Sequence, residues 1–142
     1  EILLKKGADI NVQAGRCGTP LIAASSRGHT ALAETLLEKG ANVNAQAGRD
    51  GTALIAASFE GCTSLVEILL EKGADINAQA GSHGNALIAA SIQGHTSIVD
   101  LLLERGADIN TQAASGHYGT PLIAASLRGH TSIIKILLKK GA

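Results

Sequence analysis

Four nearly identical blocks, beginning at Gly7, Gly40, Gly73 and Gly106, follow one another along this 142-residue chain. The repetition narrows the available folds more than any other property. The first three blocks are 33 residues long by subtraction of their starting positions, and Gly141-Ala142 open a further copy. A fixed period of this length belongs to units that cannot bury an apolar face alone and do so by stacking on copies of themselves. The expected product is one solenoid domain over residues 1–142. It comprises a partial repeat (1–6), repeats 7–39, 40–72, 73–105 and 106–140, and the start of another at 141–142. Such chains serve as surfaces for holding other molecules and rarely do chemistry.

The second block shows how each unit is built. Gly40 to Gly51 is polar and glycine-rich and reads as a projecting turn, with Gly48 and Gly51 supplying positive φ. Thr52 is a candidate N-cap for a short first helix, Ala53-Leu54-Ile55-Ala56-Ala57-Ser58, which Gly61 ends. Thr63 opens a second helix whose Leu65, Val66, Leu69 and Leu70 recur at helical spacing. The spacing therefore predicts an all-α chain of stacked helix–turn–helix units with projecting fingers, about nine helical segments and no true sheet. With one phenylalanine, one tyrosine and no tryptophan, the interior must be aliphatic. The alanine pairs Ala23-Ala24, Ala56-Ala57, Ala89-Ala90 and Ala124-Ala125 let first helices approach closely.

Gly7-Ala8-Asp9-Ile10-Asn11, Thr19-Pro20-Leu21, Gly28-His29 and Leu36-Leu37, repeated in each block with small changes, resemble the ankyrin repeat. Gly84 to Ser91 is similar, more narrowly, to ankyrin arrays of fungal NACHT-type receptors. That resemblance implies the sensor portion of a larger cytoplasmic protein. One departure is consistent. Where the family motif places histidine after Thr-Pro-Leu, this chain has Ile22, Ile55, Ile88 and Ile123. The family's usual inter-repeat hydrogen bonds are therefore not carried over. Burial at each isoleucine is expected instead, worth about 1.5–3 kcal/mol per side chain.

Function is sought where the four copies disagree. Leu-Ile-Ala-Ala-Ser is invariant and reads as packing. The finger tips vary: Arg16-Cys17, Arg49-Asp50, Ser82-His83 and His117-Tyr118. So do the ends of the first helices: Ser26-Arg27, Phe59-Glu60, Ile92-Gln93 and Leu127-Arg128. The resemblance implies that these face partners along a concave groove. Phe59, Ile92 and Leu127 share one phase and form either an exposed apolar line with a polar rim or structural residues tucked under their own fingers. The fourth finger carries two extra residues, Ala114 and Ser115, and the only tyrosine, Tyr118.

Other functions are weakened by composition and geometry. Twelve basic and twelve acidic side chains leave no net charge, against a nucleic-acid or anionic-membrane partner. No apolar run approaches the roughly 18 residues of a membrane span, and no secretory signal is visible in a sequence that starts inside a repeat. Cys17, Asp50, His83 and Tyr118 share a phase, but repeats stack about 8–10 Å apart, too far for one ion with ligands at about 2.0–2.3 Å. No metal, cofactor or nucleophile–base–orienter set is expected, hence no enzyme. Cys17 and Cys62 lie at different phases, so a disulfide is not expected, and free thiols fit the cytoplasm. The reading is a non-enzymatic protein-interaction module, with a self-assembling array or an engineered scaffold as alternatives. Ala33 and Thr35, standing where the second repeat has Val66 and Ile68, speak for natural drift.

Two further expectations concern the ends and the charge. Residues 2–8 and 136–142 are both Ile-Leu-Leu-Lys-Lys-Gly-Ala, which admits head-to-tail self-association. Ile133, Ile134 or Leu137 should then be exposed or covered by a neighbouring molecule. The middle repeats are acidic and the last is basic, an asymmetry able to orient a partner.

Overall fold

The computed structural model describes residues 2–114 and 118–142. A short helix, α1 (Ile2–Lys5), precedes four antiparallel helix pairs. These are α2 (Pro20–Ser25) with α3 (Thr30–Glu38), α4 (Ala53–Glu60) with α5 (Thr63–Glu71), α6 (Ala86–Gln93) with α7 (Thr96–Glu104), and α8 (Pro121–Arg128) with α9 (Thr131–Lys139). Among the described residues there is no strand. Isolated bridges, Ala14 to Gly18 and Ala47 to Gly51, close the first two fingers.

Local chemistry starts each first helix. The hydroxyls of Thr19, Thr52 and Thr120 accept from the N–H of Ile22, Ile55 and Ile123, each at 3.2 Å. In the third repeat Asn85 does this at 3.0 Å, and its amide also donates to Thr111 at 2.9 Å. The two substitutions complement one another, because a buried amide needs an acceptor for its extra N–H. Gly61, Gly94 and Gly129 cap α4, α6 and α8 in the left-handed region, where a side chain is disfavoured.

First helices α2, α4, α6 and α8 form one layer and touch their neighbours more extensively than do α3, α5, α7 and α9 in the other. Alanine at the first-helix contact permits this, and closer spacing in one layer than in the other curves a stack toward it. The main core runs between the layers through Leu21, Leu54 and Leu87 on one side and Leu36, Leu65, Leu69, Ile98, Leu102, Ile133 and Leu137 on the other. A second cluster lies under the fingers, where Ile88, Ile92 and Ala124 pack with Phe59, Ala113 and Tyr118.

Three series of hydrogen bonds tie repeat to repeat. Asn11, Asn44 and Asn77 accept from the N–H of Asn42, Asp75 and Asp108 at 2.7–2.9 Å. His95 Nε2 lies 3.0 Å from the Phe59 carbonyl, and His130 Nε2 3.1 Å from that of Ile92, so each ring carries its proton on Nε2. At the finger tips Arg49 N–H donates to Arg16 O at 3.0 Å and Ser82 N–H to Arg49 O at 2.9 Å. Inter-repeat bonding is thus present, on residues other than the motif position that isoleucine occupies.

Two expectations about burial are corrected. Ile22, Ile55 and Ile88 are buried, but Ile123 is 48% exposed because no repeat follows α8 among the described residues. Ile133 and Leu137 are buried and Ile134 is half-buried, since that stripe of α9 faces its own chain. The exposed apolar side chains at this end are Ile123, Leu127 and Leu138.

Candidate functional site

The fingers and the C-terminal ends of the first helices enclose three neighbouring cavities. One of about 350 Å³ is lined by Arg16, Cys17, Arg27 and Asp50, and one of about 400 Å³ by Arg27, Asp50, Phe59 and Glu60. A third, about 280 Å³, is lined by Phe59, His83, Ile92, Tyr118 and Arg128. Arg49 lines all three, so they adjoin one another in a row, a groove along the layer of first helices. Of the candidate residues, Gln93 is exposed and lies off the cavity walls, and Leu127 stands outside them at the open end. His117 and Ser115 fall outside the described residues.

The apolar line expected along this groove is not continuous. Phe59 is half-buried, Ile92 is 1% exposed and Leu127 is 64% exposed, although all three occupy one phase of the repeat. The finger of the following repeat decides the difference. His83 stacks on Phe59, with ring centroids 4.1 Å apart and planes 20° apart. Ile92 lies in the cluster with Tyr118 and Ala113 of the next finger, whereas no following finger lies over Leu127 among the described residues. Ile92 is therefore core that closes one cavity wall, but under the finger of the next repeat and not, as the alternative reading has it, under its own.

Charge along the groove is mainly positive. Among the described residues, the contacts of a carboxylate with a basic side chain within 4.0 Å are His83 to Asp50 at 3.7 Å, an ion pair only when the ring is protonated, and Lys140 to Asp100 at 3.4 Å. Arg16, Arg27, Arg49 and Arg128 have no carboxylate within that distance there. Arg128 donates to the Tyr118 hydroxyl at 3.1 Å, and its guanidinium carbon lies 5.8 Å from the ring centre. Cys17 and Cys62 are both free thiols, and burial, helped by Glu60, pushes Cys62 up from its ordinary range. Among the described residues no three His, Cys, Asp or Glu side chains gather as metal ligands, and no helix is long and apolar enough to cross a membrane.

The family model for ankyrin repeats (3 copies) matches residues 1–80, 52–113 and 80–142, which together span the chain. The chain belongs to the ankyrin-repeat family. Ankyrin repeats are generally protein–protein interaction modules without enzymatic activity. No curated protein matches this chain.

Within this ankyrin array the Phe59–His83 stack and the Asn85–Thr111 pair were not legible as contacts. Asn85 is the one non-threonine cap of a first helix, and Thr111 the one hydroxyl at its phase; their coincidence was the available signal. The stack has a pH signature. Burial pushes His83 below its ordinary value near 6.5, against the pull of Asp50 and with the help of Arg49. Between that value and the lower folded one, the unfolded chain binds more protons. Stability is therefore expected to fall as pH drops below about 6.5. Thermal unfolding measured through this range should show the fall, and His83→Phe, which keeps a stacking ring, should reduce it. An unchanged pH slope in that variant would assign the fall to other groups.

Proposed function

We propose that this ankyrin array is a non-enzymatic module that holds a protein partner in the groove of Arg16, Cys17, Arg27, Arg49, Asp50, Phe59, Glu60, His83, Tyr118 and Arg128. One observation carries the reading. Positions at which the repeats differ most line a groove, while the invariant Leu-Ile-Ala-Ala positions are mainly buried beneath it. Fingers fixed to each other through backbone bonds lose little freedom on binding, which favours affinity. Two free thiols fit a cytoplasmic setting. We further propose, on the likeness of Gly84 to Ser91 to fungal NACHT-type receptor arrays, that the module is the sensor part of a larger receptor.

Selection of binders from a random-peptide display library against the whole chain tests the proposal. Binders should lose about tenfold or more in affinity on Arg27→Ala combined with Glu60→Ala. They should be indifferent to Glu67→Ala and Ser97→Ala, exposed on the second helices. Binders that ignore the groove variants and respond to the second-helix ones would overturn the assignment.

A further inference from the structure

We infer that the cavity between the second, third and fourth fingers takes an acidic side chain flanked by an apolar one, from an extended segment of a protein partner. This rests on the groove being the binding face and adds the chemistry of what it holds.

The residues lining the cavity include no acid, and the one carboxylate that reaches them among the described residues is Asp50, 3.7 Å from His83 Nε2. Arg49 and Arg128 lie at its rim, both exposed, and Ser82 and Tyr118 bring hydroxyls. Asp50 and Glu60, the acids of the groove, line the adjoining cavities instead. Two guanidiniums without a carboxylate within 4.0 Å among the described residues give a local positive field, and arginine pairs with carboxylates in bidentate geometry. The Tyr118 hydroxyl accepts from Arg128 at 3.1 Å, so its own proton is left to donate. His83 adds a ring held against Phe59, and the contact of Asp50 within 4.0 Å is to this ring and not to Arg49 or Arg128 among the described residues.

The remaining walls are apolar, formed by Phe59 and Ile92. A free anion would gain nothing from them, whereas an aliphatic side chain beside the carboxylate would. The volume, about 280 Å³, suits one or two side chains and falls at the small end for a ligand pocket. The cavities of about 400 and 350 Å³ share Arg49 with it and adjoin it along the same layer, so an extended occupant can continue past Arg49 as a chain. Charge complementarity together with that row of adjoining cavities selects an acidic–apolar peptide segment as the occupant.

The test uses the full chain and three capped peptides of alternating Leu with Glu, Gln or Lys. Tyr118 is the only tyrosine in a chain without tryptophan, so intrinsic tyrosine emission reports directly from the cavity. The Glu peptide is expected to bind about tenfold or more tightly than the Gln peptide, and the Lys peptide weakest. Arg49→Gln with Arg128→Gln should abolish the Glu preference, and added salt should weaken it. Circular dichroism verifies that the variant remains folded. Equal binding of the Glu and Gln peptides, no binding of the Glu peptide, or a Glu preference surviving in the double variant each overturns the inference. Display-selected binders that need Arg27 and Glu60 yet lack acidic residues would overturn it while leaving the groove as the binding face. Binders indifferent to every groove variant would remove both.

Discussion

Replacing Gly81 by alanine is expected to destabilise the array by about 2–5 kcal/mol, the sum of a backbone and a packing cost. Gly81 has φ of +66°, where a side chain costs about 1–2 kcal/mol. A Cβ there would lie 2.3 Å from the Arg49 carbonyl oxygen and 2.6 Å from Gly51 N, contacts that backbone cannot yield without moving the finger. Relieving that overlap costs about 1–3 kcal/mol more. The displaced bond is the one from Ser82 N–H to Arg49 O, which holds the third finger against the second. Gly73 provides the comparison: its φ is +86°, yet nothing lies within 4 Å of its added Cβ. Gly73→Ala should therefore show only the backbone cost, about 1–2 kcal/mol. Urea unfolding of the two variants measures the difference. Equal losses would mean that the fingers shift at negligible cost and do not fix the groove.

Ile88→Ala and Ile123→Ala make the second large contrast, because the two residues occupy the same phase of adjacent repeats. Ile88 is fully buried between α4 and α8, in the cluster beneath the fingers. Its truncation is expected to cost about 2–5 kcal/mol, lost transfer energy plus an uncollapsed cavity. Ile123, about half-exposed, should cost less than about 1 kcal/mol. A central repeat also carries both interfaces on which its neighbours depend, so Ile88→Ala should broaden the unfolding transition as the halves separate. Guanidinium unfolding followed by circular dichroism checks both statements. Similar losses at the two sites would show that Ile123 is covered in solution, and end-to-end contact through α8 would be the natural cover.

The groove was legible in the sequence as columns of disagreement. Repeats that share Leu-Ile-Ala-Ala-Ser but differ at 16–17, 49–50 and 82–83 announce which positions escape the packing constraint. The caps were legible too, since a threonine directly before an apolar run has one economical use for its hydroxyl, the N–H three residues on. Those are properties of a unit and its internal spacing. The role of His95 and His130 was not legible, because their partners are carbonyls of the preceding repeat and a carbonyl leaves no trace in the sequence.

What the chain determined by itself was therefore the unit: its period, two helices, cap, finger and apolar face. What only the tertiary structure decided was coverage. Phe59, Ile92 and Leu127 share a phase and differ in burial because a side chain at that place is enclosed by the next repeat's finger, not by its own. His83 left the exposed set for the same reason, settling onto Phe59 across a repeat boundary. Periodicity specifies where a residue sits within its unit; burial depends on which unit lies on top, and that is fixed only when the stack is assembled.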